Sequence, residues 1–359
     1  MITRRTLLAR LVAGAGVTLL GGSGCRPSPG PGACPAVAGR HIRWIVPNAP
    51  GGGYDTESRL LQPFLEQRLG ARILVENLAG AGGLVGARAI ADATPDGLTL
   101  GIAGMPGLLV AALVGQPAAL DPIRAFTILG RVSRSAHVWA AGAESALTTI
   151  DEVLAAGRRR PLVFAINEVG SANFVSITVS AALLHVPAAL VPGFSGTRAA
   201  CLAAARGDVD VVCFDFDTIR PLIAAGELRA VLQLSHGAIA TDPLLGRAPL
   251  LGGPDGLADR LARAAGEDAA WARQIAGALA RLIGSGRVVV APRGLAPALA
   301  ACLSNAIQDA LATDGLRDRA ARSVDAADAA AARADVDAAA SEAAQLFPLI
   351  EPALAKLRG

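Results

Sequence analysis

The stretch Pro47-Asn48-Ala49-Pro50-Gly51-Gly52-Gly53-Tyr54-Asp55 decides how the chain is read. It lies between an apolar, strand-like run at 42–46 and an apolar helical run at 59–69. A strand that runs into glycines and then into a helix start presents bare backbone N–H groups to an anion. The arrangement recurs downstream. Ile73-Leu74-Val75 is a short apolar strand, Glu76-Asn77-Leu78-Ala79-Gly80-Ala81-Gly82-Gly83 is a second glycine loop, and 85–93 is a second helical run. Thr94-Pro95-Asp96-Gly97 then turns into a strand at 98–103. This spacing predicts a βαβαβ unit with a parallel sheet. Ligands of such sheets bind beyond the carboxyl ends of the strands, where both glycine loops lie.

Further strands are predicted at 126–132, 137–141, 162–166, 188–191, 209–214 and 228–234, with helices at 149–158, 174–184, 198–206 and 217–225. This second α/β series reads as a second lobe, with loops at 167–173 and 192–197 directed at the same crevice. Residues 254–283 and 326–354 read as Ala-rich helices, with a strand at 287–291 and a helix at 298–313 between them.

A chain of 359 residues is long enough for two domains. The net charge of +3, with no Lys/Arg cluster interleaved with aromatics, gives no footprint for nucleic acid. Residues 1–25 read as an export signal. Arg4-Arg5 followed by Leu7-Leu8 and an apolar run at 11–20 resembles a twin-arginine (Tat) leader, an ordinary Sec signal being the alternative. Gly22-Ser23-Gly24-Cys25 resembles a lipobox, with Gly22 where Leu is usual; lipidation of Cys25 and simple cleavage nearby both stay open. Residues 26–40, rich in Pro and Gly, read as a flexible tether holding Cys34. Cys201, Cys213 and Cys302 show no metal-ligand spacing. In an oxidising compartment Cys201 and Cys213 can pair; buried free thiols are the other reading.

The ordered set Ile45-Val46-Pro47, Pro50 to Asp55, Arg59, Val75-Glu76-Asn77, Gly80 to Gly83, Gly86 and Pro95-Asp96-Gly97-Leu98-Thr99-Leu100 resembles the extracytoplasmic solute receptors of tripartite tricarboxylate transporters, the Bug receptors. Val191-Pro192, Gly196-Thr197, Gly207-Asp208-Val209-Asp210, 225–230 and Ala291-Pro292-Arg293-Gly294-Leu295 extend the resemblance. It implies a two-lobed α/β flytrap of the type II periplasmic-binding class, each lobe a mainly parallel sheet flanked by helices. Lobe 1 would comprise 41–138 plus 236–359, and lobe 2 would comprise 139–235. It further implies a periplasmic or membrane-tethered monomer, not an enzyme and without a cofactor or metal, that hands a small carboxylate to large and small membrane permease subunits. A carboxylate sensor serving a membrane signalling protein is the alternative use of the same fold. Carried over by position, Gly51, Gly52, Gly53, Tyr54, Asp55, Ala81 and Gly82 would grip the carboxylate, and Gly170, Ser171, Asn173, Gly196, Thr197 and Asp215 would face the rest of the ligand. The chain departs from the family where His is frequent at Asn173 or Phe174, in a longer segment from Pro192 to Gly196, and in Asp215 for a frequent Asn.

Several of these residues have a second reading. Asp55 is either a ligand group or the cap that holds the glycine loop. Tyr54 either packs on ligand carbons or covers the loop. Asp215 either meets a ligand ammonium or hydroxyl or caps the following helix, and Arg198 either reaches a second carboxylate or is solvated. Trp44, Trp139 and Trp271 read as packing residues. His41, His137, His185 and His236 stand alone, without metal spacing or a neighbouring nucleophile. The run from Gly80 to Gly86 imitates a dinucleotide fingerprint, which keeps a nucleotide-dependent enzyme as a weaker alternative. The run lacks a matching acid on a second strand, and the chain has no Walker lysine.

Overall fold

The structure is a computed structural model that describes residues 34–116, 119–235, 242–246, 248–316 and 325–358. The leader with Cys25, most of the tether and His236 lie outside the described residues. Strands β1 (His41–Val46), β2 (Arg72–Asn77), β3 (Thr99–Gly104) and β4 (Phe126–Ser133) come first, then β5 (His137–Gly142), β6 (Leu162–Ala165), β7 (Ala188–Val191), β8 (Val211–Asp215) and β9 (Leu228–Leu234), and finally β10 (Arg287–Pro292). They form two five-stranded sheets, β2-β1-β3-β10-β4 and β7-β6-β8-β5-β9. In each sheet one strand runs against its neighbours, β10 between β3 and β4 and β5 between β8 and β9. The remaining pairs are parallel, as the alternation of strands and helices requires.

Between the strands run α1 (Gly53–Leu69), α2 (Leu84–Ala91), α3 (Met105–Leu113), α4 (Pro122–Ala125), α5 (Ile150–Gly157), α6 (Ala172–Leu183), α7 (Thr197–Arg206), α8 (Phe216–Ala224), α9 (Leu257–Ala265), α10 (Ala269–Gly284) and α11 (Pro297–Leu311). Helices Ala329–Ala343 and Phe347–Arg358 close the chain. The single Ala-rich helix expected at 254–283 is broken in two. Gly266 takes a left-handed C-cap at φ 73°, and Asp268 caps α10 by accepting from the N–H groups of Ala270 and Trp271. Trp44 and Trp139 are buried, Trp139 edge-on to Phe164 with ring centroids 4.9 Å apart and its indole N–H donating to Ser180 Oγ at 3.0 Å. Trp271 is instead 46% exposed in the first turn of α10.

The chain passes between the sheets at two adjacent points. It leaves the first sheet between β4 and β5, at 134–136, and returns between α10 and β10, at 285–286. A Cβ on Gly286 would overlap the Ser133 carbonyl oxygen, so the two crossings touch and only glycine fits between them. Helices α9 and α10, within the 236–359 segment that the sequence reading gives to the first lobe, share a core with the second sheet. Leu257, Ile275 and Leu279 pack in one cluster with Trp139, Phe164 and Leu232.

Beside the crossings lies a buried charge cluster. Arg287 opens β10 and donates to Glu57 of α1 at 2.6 Å, to Asp215 at the end of β8 at 2.9 Å and to Thr218 of α8 at 3.3 Å. Its guanidinium also lies 4.6 Å from the centroid of the Tyr54 ring. Burial pushes the Glu57 carboxyl up despite Arg287 and the Ser133 hydroxyl, which donates to it at 3.0 Å. Burial, together with Asp215 and Glu57 nearby, raises Asp217 to about 7. His137 is buried with Nδ1 2.8 Å from Ser176 Oγ, and burial lowers its pKa to about 4, with Asp215 and Arg287 acting on it in opposite directions.

The tether is pinned earlier than expected. Cys34 is buried in a disulfide with Cys302 of α11, a separation of 268 residues, so the chain is tied down from residue 34 rather than 41. Cys201 and Cys213 do not pair; both are buried free thiols, small apolar fillers of the second lobe.

Two stability predictions follow from this packing. Cys302→Ser should lower unfolding free energy by about 2–4 kcal/mol in a urea titration, because the bridge closes a long loop of the unfolded chain; an unchanged midpoint would show that the bridge adds nothing. For His137, the folded pKa lies below the ordinary value, so its contribution is present above about pH 6.5 and is lost as pH falls towards about 4. Asp217, with its raised folded pKa, contributes in the opposite sense, so the His137 effect must be read as a difference between variants. The stability of wild type relative to His137→Gln should fall by about 2–3 kcal/mol between pH 7 and 4, and a flat difference would count against a neutral buried imidazole.

Candidate functional site

The first glycine loop is built around Asp55. Its Oδ2 accepts from the Gly51 N–H at 2.9 Å, and its Oδ1 accepts from Arg59 Nε at 2.9 Å and Asn77 Nδ2 at 3.0 Å. Asn77 also donates to the Asn48 carbonyl at 3.0 Å, and Arg59 Nη2 donates to Asn77 Oδ1 at 3.1 Å. Burial alone would raise the Asp55 carboxyl, but the donations from Arg59, Gly51 and Asn77 hold it below the usual range. Asp55 is 4% exposed and committed to its own loop. Its carboxylate therefore keeps Gly51 in the turn (φ 77°) and lets α1 begin at Gly53, without a side-chain cap. The N–H groups of this first turn have no partner within the helix.

The second loop is more unusual. Gly80, Ala81, Gly82 and Gly83 all have positive φ, at 140°, 46°, 64° and 96°. Alanine at such a φ costs roughly 1–2 kcal/mol, which glycine avoids. This left-handed run delivers the chain to α2, whose N-terminus likewise lacks a side-chain cap. A Cβ on Gly86 would sit 2.7 Å from Pro47 Cα and 2.9 Å from the Leu78 carbonyl oxygen, so α2 packs directly on the first loop. Gly86 thereby fixes one loop against the other.

A third element completes this wall. The sequence reading ends a strand at residue 103 and leaves the next segment unassigned. The structure places α3 there, entered through Gly104 and Met105 with Pro106 in its first turn. A Cβ on Gly104 would overlap the Tyr54 hydroxyl. A pocket of about 50 Å³ lies between the three elements. Pro47, Asn48 and Tyr54 line it from the first loop, Gly82, Gly83 and Ala87 from the second, and Ala103, Gly104, Gly107 and Leu108 from the third. None of these residues is acidic. The volume suits a few waters or one carboxylate-sized group.

The second lobe faces this wall through its loop at 166–171. Ser171 caps α6, accepting from the Phe174 N–H at 3.4 Å and lying 2.7 Å from the Glu168 carbonyl. Asn173 is 4% exposed and its Nδ2 has no partner among the described residues. Gly170 needs its φ of 81°, and a Cβ there would collide with Gln116 Nε2. Gln116, just past α3, donates across the cleft to the Val169 and Gly170 carbonyls at 3.4 and 3.3 Å. Glu168 also crosses, reaching the second glycine loop so closely that a Cβ on Gly82 would overlap its Oε1. Asp215 caps α8 through the Thr218 N–H at 3.2 Å and is paired with Arg287. Gly196 (φ 146°) and Thr197 open α7, and a Cβ on Gly196 would meet nothing within 4 Å, so this turn faces open space.

Of the residues singled out in the sequence, Tyr54 and Gly82 line the pocket, Gly51 to Gly53, Asp55 and Ala81 shape its two loops, and Gly170, Ser171 and Asn173 stand across from it. Asp215 lies under the first loop, with Arg287 and Thr218 against Gly53. Sequence reasoning missed Met105 to Leu108, Glu168, Gln116 and Arg287. Two of these had a signal: Pro106 behind Gly104 marks a helix start, and Arg287 is a lone charge opening the buried run Val288-Val289-Val290. Among the described residues no group of His, Cys, Asp and Glu is disposed to hold a metal ion.

Comparison with known proteins places this geometry. The sequence pattern of the tripartite tricarboxylate transporter family receptor matches residues 58–244, just over half of the chain. A protein from the tcbD-tcbE intergenic region of Pseudomonas sp. strain P51 is 29% identical over 203 residues, 55% of this chain and 58% of its own length, so less than two thirds of that relative is matched. BugT of Bordetella pertussis is 28% identical over 227 residues, 60% of this chain and 67% of its own. Among solved structures, the periplasmic binding protein BugD superposes with a TM-score of 0.69 at 21% identity, covering 87% of this chain and 98% of its own. MatC from Rhodopseudomonas palustris with bound malate does so with a TM-score of 0.64 at 25% identity, covering 84% and 98%. The fold is that of a two-lobed periplasmic binding protein, and the chain belongs to the receptor family of the tripartite tricarboxylate transporters.

Proposed function

We propose that the protein is an extracytoplasmic receptor that closes its two lobes over a small carboxylate and presents it to a membrane permease of the tripartite type. The observation that carries this reading is the pocket itself: two uncapped helix starts and a third glycine-containing junction surround a space of about 50 Å³ whose first-lobe lining holds no acid, Glu168 reaching Gly82 only from the second lobe. Backbone N–H groups and helix dipoles aimed into such a space favour a negative group by about 0.3–2 kcal/mol per helix. The grip falls to Gly51, Gly52, Gly53, Tyr54, Ala81 and Gly82, with Asp55 holding the loop rather than the ligand. Gly170, Ser171 and Asn173 meet the remainder of the solute, with Gly196 and Thr197 at the rim. The malate in MatC and the adipate in a second R. palustris neighbour (TM-score 0.69) support the carboxylate class. The Cys34–Cys302 bridge fits an oxidising compartment, and the twin-arginine leader supplies a route there. Cys25 is the candidate attachment point for a lipid anchor.

Purified protein freed of endogenous ligand should show a raised melting temperature with at least one member of a panel of mono-, di- and tricarboxylates. A ligand at 100 times its Kd adds about 2.7 kcal/mol to folded-state stability. No shift across the panel would end the carboxylate reading. Gly82→Ala brings a Cβ onto Glu168 Oε1 at a positive φ, and should weaken the responding carboxylate at least about tenfold, some 1.4 kcal/mol. Titration calorimetry reads this directly, and unaltered affinity would place the ligand elsewhere.

A further inference from the structure

Glu168 sits where the second lobe meets the second glycine loop, and none of the fold's needs accounts for its carboxylate. Its backbone is held on both sides. The Glu168 carbonyl accepts from Ser171, and Gln116 of the first lobe donates to the next two carbonyls. Its side chain crosses to Gly82. Among the described residues no cation or hydrogen-bond donor meets that carboxylate, and burial raises its pKa. The two arginines at the base of the cleft are engaged elsewhere, Arg59 with Asp55 and Asn77, and Arg287 with Glu57, Asp215 and Thr218. Two neighbours are also unsatisfied. Asn167 Oδ1 and Asn173 Nδ2 are buried without partners. This wall therefore offers two unmatched acceptors, Glu168 and Asn167, and one unmatched donor, Asn173.

Asn167 Oδ1 is buried without a donor, whereas Glu168 is half-buried, and a solute that brings an ammonium group to its carboxylate gains a charge-assisted hydrogen bond. A second ionised carboxylate brought to the same place adds like-charge repulsion instead. On the reading that the cleft takes a carboxylate, we propose that Glu168 is the specificity-determining residue. It selects solutes that carry an ammonium group close to the gripped carboxylate, the amino-acid class, over their unsubstituted counterparts. The glycine loops recognise what all candidate solutes share, and Glu168 reads the substituent that separates them.

The test uses matched pairs that differ by one amino group: succinate and aspartate, glutarate and glutamate, propionate and alanine, 3-phenylpropionate and phenylalanine. Melting shifts and calorimetric Kd values are measured for wild type and for Glu168→Gln, with the ligand-free melting temperature as the control for folding. In every pair that binds, wild type should prefer the amino member at least about tenfold, and Glu168→Gln should bring the ratio to near unity. Equal or better binding of the unsubstituted acid by wild type, or an unchanged ratio in the variant, overturns the role of Glu168 while leaving the carboxylate site standing. No response to any of the eight compounds, nor to the wider carboxylate panel, removes the underlying carboxylate reading and this role with it.

Discussion

Everything near the cleft depends on one buried cation. Arg287 is 3% exposed and bonds to groups from both lobes, Glu57 from one and Asp215 and Thr218 from the other. Isolated charges are not tolerated at such depth. Once Arg287 is there, both carboxylates are required, and removing either partner of a buried pair costs about 3–5 kcal/mol. The strut also lies against Gly53, where an added Cβ would come within 3.0 Å of the guanidinium and 2.9 Å of Thr218 Oγ1. The relative position of the lobes and the seat of the first glycine loop are thus set by the same few atoms. The first glycine loop sits beside three acids. Two of them are paired with Arg287, and burial, with Asp215 nearby, raises the third, Asp217, to about 7.

On the proposed carboxylate reading, recognition divides between backbone and side chains along the line between the lobes. The first lobe would offer glycine and N–H groups, which cannot distinguish one carboxylate from another. The second lobe would offer the side chains of Glu168, Ser171 and Asn173, which can. Rigidity follows the same division. Asp55, Asn77 and Arg59 lace the first loop to the sheet, and Gly86 locks the second loop against it. The loop at 166–171 is held across the cleft by Gln116, through bonds of 3.3–3.4 Å to its carbonyls. These are long bonds for this type of contact.

Much of this was legible in the sequence because local chemistry wrote it there. The glycine loops, the βαβαβ alternation and the capping alternative for Asp215 are each decided within a few residues, and the structure shows them, whereas the cap at Ser171 went unread. Of the two readings of Asp55, its carboxylate is taken up in holding the glycine loop, with three donors on it, although it does not cap α1. What could not be read is what joins distant segments. The Cys34–Cys302 bridge spans 268 residues. Arg287 meets Glu57 across 230 residues. The packing of α9 and α10 on the second sheet depends on where the chain crosses back, which no periodicity reports. Trp271 was misjudged for a related reason: residue type alone does not tell which face of a helix is covered.

The position of β10 has a consequence for how the molecule is made. It enters the first sheet between β3 and β4, although the whole second sheet is synthesised before it. Until residue 287 has left the ribosome, two strand edges in the first half of the chain stay open, and both belong to the sheet that carries the glycine loops. Unpaired edges of this kind invite association between chains, and non-local pairings form slowly. A nascent form of this protein therefore keeps both edges exposed until its last quarter emerges. The late strand that supplies Arg287 to the cleft is also the one that closes the sheet against aggregation.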